Sequence, residues 1–120
     1  MTPERDSDNL QEGKKMFGSA SRPGDKTDTY TITSPYGKRM SFTFQYTFVG
    51  YSWRAYIVSS PSYGSRSTDP LVTHRYIDRD KNMYYVCWTV NLLRLEDMIE
   101  ISRLWARKTA EYIDTGRTFG

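Results

Sequence analysis

The chain has 120 residues, enough for one domain and a tail but not for two domains. Hydrophobic residues make up 38 % and aromatics 15 %, too many for a wholly disordered chain. The net charge of +3, with a pI near 9.0, allows a nucleic-acid or acidic-protein partner but does not require one. Cys87 is the single cysteine and His74 the single histidine, so an intrachain disulfide is excluded and a cysteine–histidine zinc site is not expected. There is no apolar leader at the N-terminus and no run near the length of a spanning helix. The expected location is cytoplasmic, with no membrane association.

Residues 1–28 read as a flexible, disordered tail, because Leu10, Met16 and Phe17 are its large apolar side chains. Met16 and Phe17 are the pair that would dock on a partner or on the domain. The tail nets −1, which leaves +4 on the single domain expected over 29–120. Thr29–Ser34 is a short β-branched and aromatic run, suited to a first edge strand. Pro35 to Lys38 is a turn, with Pro setting φ and Gly37 supplying a permissive position.

The most regular stretch is Met40 to Phe48. Met40, Phe42, Phe44, Tyr46 and Phe48 alternate with Ser41, Thr43, Gln45 and Thr47, so the five large side chains share one face of a strand. Gly50 then marks a hairpin into Trp53–Val58. Trp53, Ala55 and Ile57 are assigned to the core, and Arg54, Tyr56 and Val58 to the opposite face. Residues 59–71 hold two Pro, one Gly and five Ser and read as a long loop. Val72–Ile77 and Met83–Thr89 read as strands of a meander, joined by the polar turn 78–82.

Leu95–Thr115 is the best helix. Met98, Ile101, Trp105, Thr109 and Tyr112 recur at steps of three and four, and Gly116 is placed to end the helix in a left-handed conformation. At 1.5 Å per residue it is about 31 Å long, enough to cross a four-stranded sheet. The expected architecture is α+β: an antiparallel sheet of four to five strands with one long C-terminal helix packed across one face. The expected core is Met40, Phe42, Phe44, Phe48, Trp53, Ile57, Val86, Trp88, Met98, Ile101 and Trp105.

No phosphate loop, dinucleotide fingerprint, zincin motif or paired-cysteine motif occurs. Asp78, Asp80 and Asn82 have the spacing that opens a calcium loop. Met83 stands where that loop needs glycine, and Thr89 where it needs glutamate. No metal and no cofactor are expected. His74 has no evident nucleophile or orienting acid, and Cys87 lies between Val86 and Trp88 as a small buried hydrophobe would. The chain is therefore not expected to be an enzyme; a metal nuclease built on Asp69, His74 and Asp78 is the least implausible exception.

The candidate binding residues are Arg54, Tyr56, Tyr63, Arg66, His74 and Arg75. Outward-facing Arg and Tyr suit phosphates and bases, and they are also enriched in protein interfaces. Two partners follow: nucleic acid on the outer sheet face and the 59–71 loop, or a host protein on the same surface.

From Trp53 to Gly116 the chain resembles a family of small uncharacterised proteins from mobile elements of Gram-positive bacteria. The residues that carry this are Trp53 to Tyr56, Pro61 to Tyr63, Arg66 to Asp69, Thr73 to Arg75, Tyr85 to Trp88, Leu95 to Met98, Trp105, Ala106 and Tyr112 to Gly116. The resemblance implies no activity, only a setting of mobile DNA and host defence, in which a partner protein would be a defence enzyme held inhibited. The pattern Trp53-x-Ala55-x-Ile57 also resembles the second strand of integrase arm-binding domains, which implies a sheet entering the major groove with Arg54, Tyr56 and Arg75 outward. Thr43 and Gln45 on the preceding strand depart from it, since arginines are the expectation there.

Overall fold

The structure, a computed structural model, describes residues 26–88 and 91–119. The elements are β1 (Lys26–Thr33), β2 (Arg39–Val49), β3 (Ser52–Ser59), α1 (Pro70–Thr73), β4 (Arg75–Asp78), β5 (Met83–Val86) and α2 (Leu95–Thr115). The five strands form one antiparallel sheet, and α2 lies across one face, so the α+β expectation holds. Most of the expected tail, residues 1–25, lies outside the described residues. Lys26, Thr27 and Asp28, read as tail, instead pair with Tyr46, Gln45 and Phe44 as the first residues of β1.

The alternation of β2 acts as expected. Met40, Phe42, Phe44 and Tyr46 are buried under the helix with Ala55, Ile57 and Val86. The covering stripe of α2 is Met98, Ser102, Trp105, Ala106, Thr109, Ala110 and Tyr112. Ser102, Ala106 and Ala110 recur every four residues, and such small side chains let a helix sit close to a sheet. Trp105 fills the space beside them, edge-on to Phe42 at 5.9 Å and Phe44 at 6.0 Å. The Tyr46 hydroxyl is bonded to Ser102 Oγ at 2.6 Å across this interface.

Two expected core residues, Trp53 and Ile101, are only partly buried against the core, and two more are not core at all. Phe48 is 42 % exposed: it sits at the turn end of β2, two residues before Gly50, and packs edge-on against Trp53. Trp88 is 46 % exposed, because β5 ends at Val86 and Trp88 lies beyond the sheet. Thr89, the expected end of that strand, lies outside the described residues.

The strand order is β1-β2-β3-β5-β4, not that of a meander. The chain passes beyond the place beside β3, forms β4 at the sheet edge, and returns to insert β5. The cause lies in the connection. Residues 72–74, read as the start of a strand, instead complete α1 and its cap. Asp69 caps the helix by accepting from the Leu71 N–H at 2.8 Å, and Pro70 occupies its first turn. His74 ends it in the left-handed region at φ 54°. The 59–71 loop is packed rather than loose: Tyr112 donates to Ser67 O at 2.9 Å, and just beyond the loop Trp105 Nε1 donates to Thr73 O of α1 at 2.9 Å.

The 78–82 turn behaves as its sequence suggests. Asp78 Oδ1 accepts the backbone N–H groups of Asp80 and Lys81, and Asn82 takes φ 56°.

Candidate functional site

The six candidate residues do not form one surface. The register of the sheet decides their faces. Arg75 pairs with Val86, and Val86 is core, so Arg75 projects on the helix side with Tyr84 and Ile77. Tyr56 pairs with Tyr85 and Tyr85 with Tyr76, so these three share the outer side with Arg54 and Asp78. The expectation of Arg54 and Arg75 on one outward face is therefore corrected: they stand on opposite faces.

On the outer side Tyr56 is 1 % exposed, although it was read as an open surface residue. Its hydroxyl donates to Asp78 Oδ2 at 2.6 Å. Arg54 Nη1 donates to the same carboxylate oxygen at 3.3 Å and to the Tyr56 oxygen at 3.2 Å. The Arg54 guanidinium also lies 4.0 Å from the Tyr85 ring centre, and Lys81 Nζ lies 5.2 Å from that of Tyr56. The hydrogen bond from Tyr56 holds the Asp78 carboxyl below the usual carboxylate range. Burial pushes the Tyr56 phenol up. Arg54 is thus a paired charge within a hydrogen-bonded cluster.

On the helix side the Arg75 guanidinium is flanked by two rings, Tyr84 at 3.9 Å and Tyr63 at 4.7 Å. Tyr63 comes from the long loop, is 7 % exposed, and packs on Tyr112 at 6.2 Å. Burial pushes the Tyr63 phenol up, so it stays neutral in ordinary buffers. Its hydroxyl faces that of Thr109, yet neither makes a well-formed hydrogen bond.

Arg66 and His74 have local duties. Arg66 Nε and Nη2 donate to the carbonyls of Ile113 and Asp114, each at 3.2 Å. The last turn of α2 has no basic residue of its own, so Arg66 supplies the cation that complements its carbonyl end. Gly116 follows at φ 85°, and a Cβ there would stand 2.9 Å from Arg66 Nη1. Gly116→Ala should cost about 1–2 kcal/mol, from the left-handed backbone more than from the movable arginine tip. Thermal unfolding measures this; an unchanged midpoint would show that the helix does not end in this cap. His74 is exposed at the sheet edge and stacks on Phe119 with ring centres 4.6 Å apart. Among the described residues no three of His, Cys, Asp and Glu are grouped to hold a metal ion. Cys87, expected to be buried, is only half-buried, with a neighbouring cleft shared by His74, Trp88 and Phe119.

A feature that sequence reasoning missed is a cleft of about 300 Å³ between β3 and β5. The two strands pair at Tyr56 and Tyr85 and then separate. Residues 91 and 92 close the far side, where Leu92 O accepts the Trp53 N–H at 2.8 Å and Leu92 N–H donates to Ser52 Oγ at 2.9 Å. The walls include Tyr51, Trp53, Arg54, Tyr76, Trp88 and Leu92. Tyr51, Tyr76 and Trp88 are among the exposed large side chains of the molecule. The sequence signal was the short β5, whose apolar run was read as a longer strand.

Fold and site together define a helix-backed antiparallel sheet with an aromatic cleft at the point where two strands part. No family model matches the chain, and no curated protein and no solved structure is significantly similar to it. Among the described residues no helix is long and apolar enough to cross a membrane.

Proposed function

We propose that this chain is a non-catalytic protein-binding module that seats an extended segment of a partner protein in the cleft between β3 and β5. The observation that carries the reading is the parting of those strands beneath three exposed aromatics, Tyr51, Tyr76 and Trp88. Trp and Tyr dominate the energetics of protein interfaces because they bury large areas at low entropic cost. The volume suits one or two anchoring side chains, at the small end of the range for ligand pockets. Tyr76, Tyr85 and Asn91 give the wall polar side chains that would fix the segment's orientation.

Nucleic-acid binding by the outer face is the second reading. The net charge of +3 and a hydroxyl ladder, Thr29 on Thr43 and Thr31 on Ser41, favour it. Against it, Arg54 is already paired and Arg75 is on the other face. A partner segment needs neither cation free.

Peptides selected from a random library on the wild-type protein should lose at least about tenfold in affinity on a Tyr51→Ala, Trp88→Ala double variant. Both side chains are exposed, so the variant should fold. Peptides that bind the double variant as well as wild type would remove the cleft from the argument. If no peptide is selected while DNA is retarded in a steeply salt-dependent way, the module binds nucleic acid instead.

A further inference from the structure

The two arginine–tyrosine clusters differ in one respect. Arg54 has a carboxylate, Asp78, whereas the Arg75 side chain makes no hydrogen bond and no ion pair with any described residue. Its Nε is buried without a partner. A guanidinium carries five N–H donors and cannot shed its proton to escape burial. Aromatic rings stabilise its charge but accept hydrogen bonds only weakly. Leaving such a donor empty is costly, and folded proteins rarely do so without a ligand or solvent in place.

The surroundings are also incomplete. The Tyr63 hydroxyl and Thr109 Oγ1 are buried on the same side of the sheet, and neither has a well-formed hydrogen bond. Tyr112, packed on Tyr63, has its own partner in Ser67 O and does not supply the missing one. The flanking rings of Tyr63 and Tyr84 hold the guanidinium in one place, so little side-chain entropy remains to be lost on binding.

We propose that Arg75, held between Tyr63 and Tyr84, is the binding site for an oxyanion of the carboxylate or phosphate class. The fork of the guanidinium takes two oxygens of such a group side by side, the geometry that lysine cannot reproduce. The site lies on the face opposite Arg54 and does not depend on the cleft between β3 and β5.

The test uses the full chain, labelled so that the arginine Nε–H signals are resolved by NMR. Sodium phosphate and sodium acetate are titrated separately at constant ionic strength. Arg117, an exposed residue paired with Glu111, is the internal control. Arg75 should respond saturably to at least one anion, with a Kd of about 1 mM or tighter, while Arg117 does not. Saturation with phosphate only, with acetate only, or with both assigns the class and supports the site in each case. Arg75→Lys should weaken binding at least about tenfold, since the charge stays and the fork is lost. A response at Arg75 that never saturates, or that tracks Arg117, overturns the proposal. So does undiminished binding by a folded Arg75→Lys; if that variant does not fold, the wild-type titration decides alone.

Discussion

Replacing Trp105 by alanine should lower the free energy of unfolding by about 3–5 kcal/mol, a large part of the 5–15 kcal/mol typical of small domains. Trp105 is 4 % exposed and stands where helix and sheet meet. Its ring makes edge contacts with Phe42 and Phe44 at interplanar angles of 81° and 76°. Such pairs add about 0.5–1.5 kcal/mol each beyond the area they bury. Its indole N–H also satisfies the carbonyl of Thr73, a residue with no exposed surface, so truncation orphans an acceptor as well as opening a cavity. Trp88→Ala is the comparison: that side chain is 46 % exposed and should cost under about 1 kcal/mol. Urea unfolding of both variants measures the difference. Equal costs would mean that α2 does not cross the sheet at Trp105.

The second large effect is at alkaline pH. Tyr46 has no exposed surface, and burial drives its phenol far above the usual range despite the Ser102 bond. A group whose folded pKa is raised keeps its contribution below the unfolded pKa, about 10 for tyrosine, and loses it above. Between pH 10 and the folded value, the unfolded chain gives up the proton and the folded chain does not. Stability should therefore fall by about 1.4 kcal/mol for each pH unit above 10 on account of Tyr46. Burial raises Tyr56 and Tyr63 in the same direction. Tyr46→Phe should cost about 1 kcal/mol at neutral pH, because the hydrogen bond to Ser102 is lost. Ser102 keeps its bond to Ile99 O at 2.8 Å, so nothing is orphaned. Above pH 10 the variant should lose stability less steeply than wild type. Parallel slopes in denaturant series at pH 9, 10 and 11 would show that Tyr46 ionises freely in the folded state.

The candidate site was less legible than the fold, and particular residues show why. Tyr56 and Arg75 each lie in a strand, and alternation ranks the side chains of one strand among themselves. It does not say which face of the next strand adjoins them. Val72 and Thr73 are β-branched and suggested a strand beginning there, while Arg75 was set outward by a resemblance alone, with no register to a neighbouring strand behind it. Asp69 and Pro70 carried the opposing signal, a helix start, and it prevailed locally. With β4 beginning at Arg75 and registered to Val86, the arginine turned to the helix side. Arg66 was read as a surface cation, yet its partners are the carbonyls of Ile113 and Asp114, nearly fifty positions along the chain.

The sequence by itself determined the local elements of this protein. The alternation from Met40 to Tyr46 set the buried face of β2, the three- and four-residue spacing set Leu95–Thr115, and Gly50 and Gly116 set a turn and a helix end. Each is a short-range property, governed by backbone sterics and side-chain direction within a few residues. Only the tertiary structure decided the strand order, the cleft where β3 and β5 part, and the pairing of Arg54 with Asp78 while Arg75 stands with tyrosines alone. Those outcomes depend on which distant segments share the limited space beneath and beside one helix. Burial and pairing between residues tens of positions apart select that arrangement, and no local pattern encodes it.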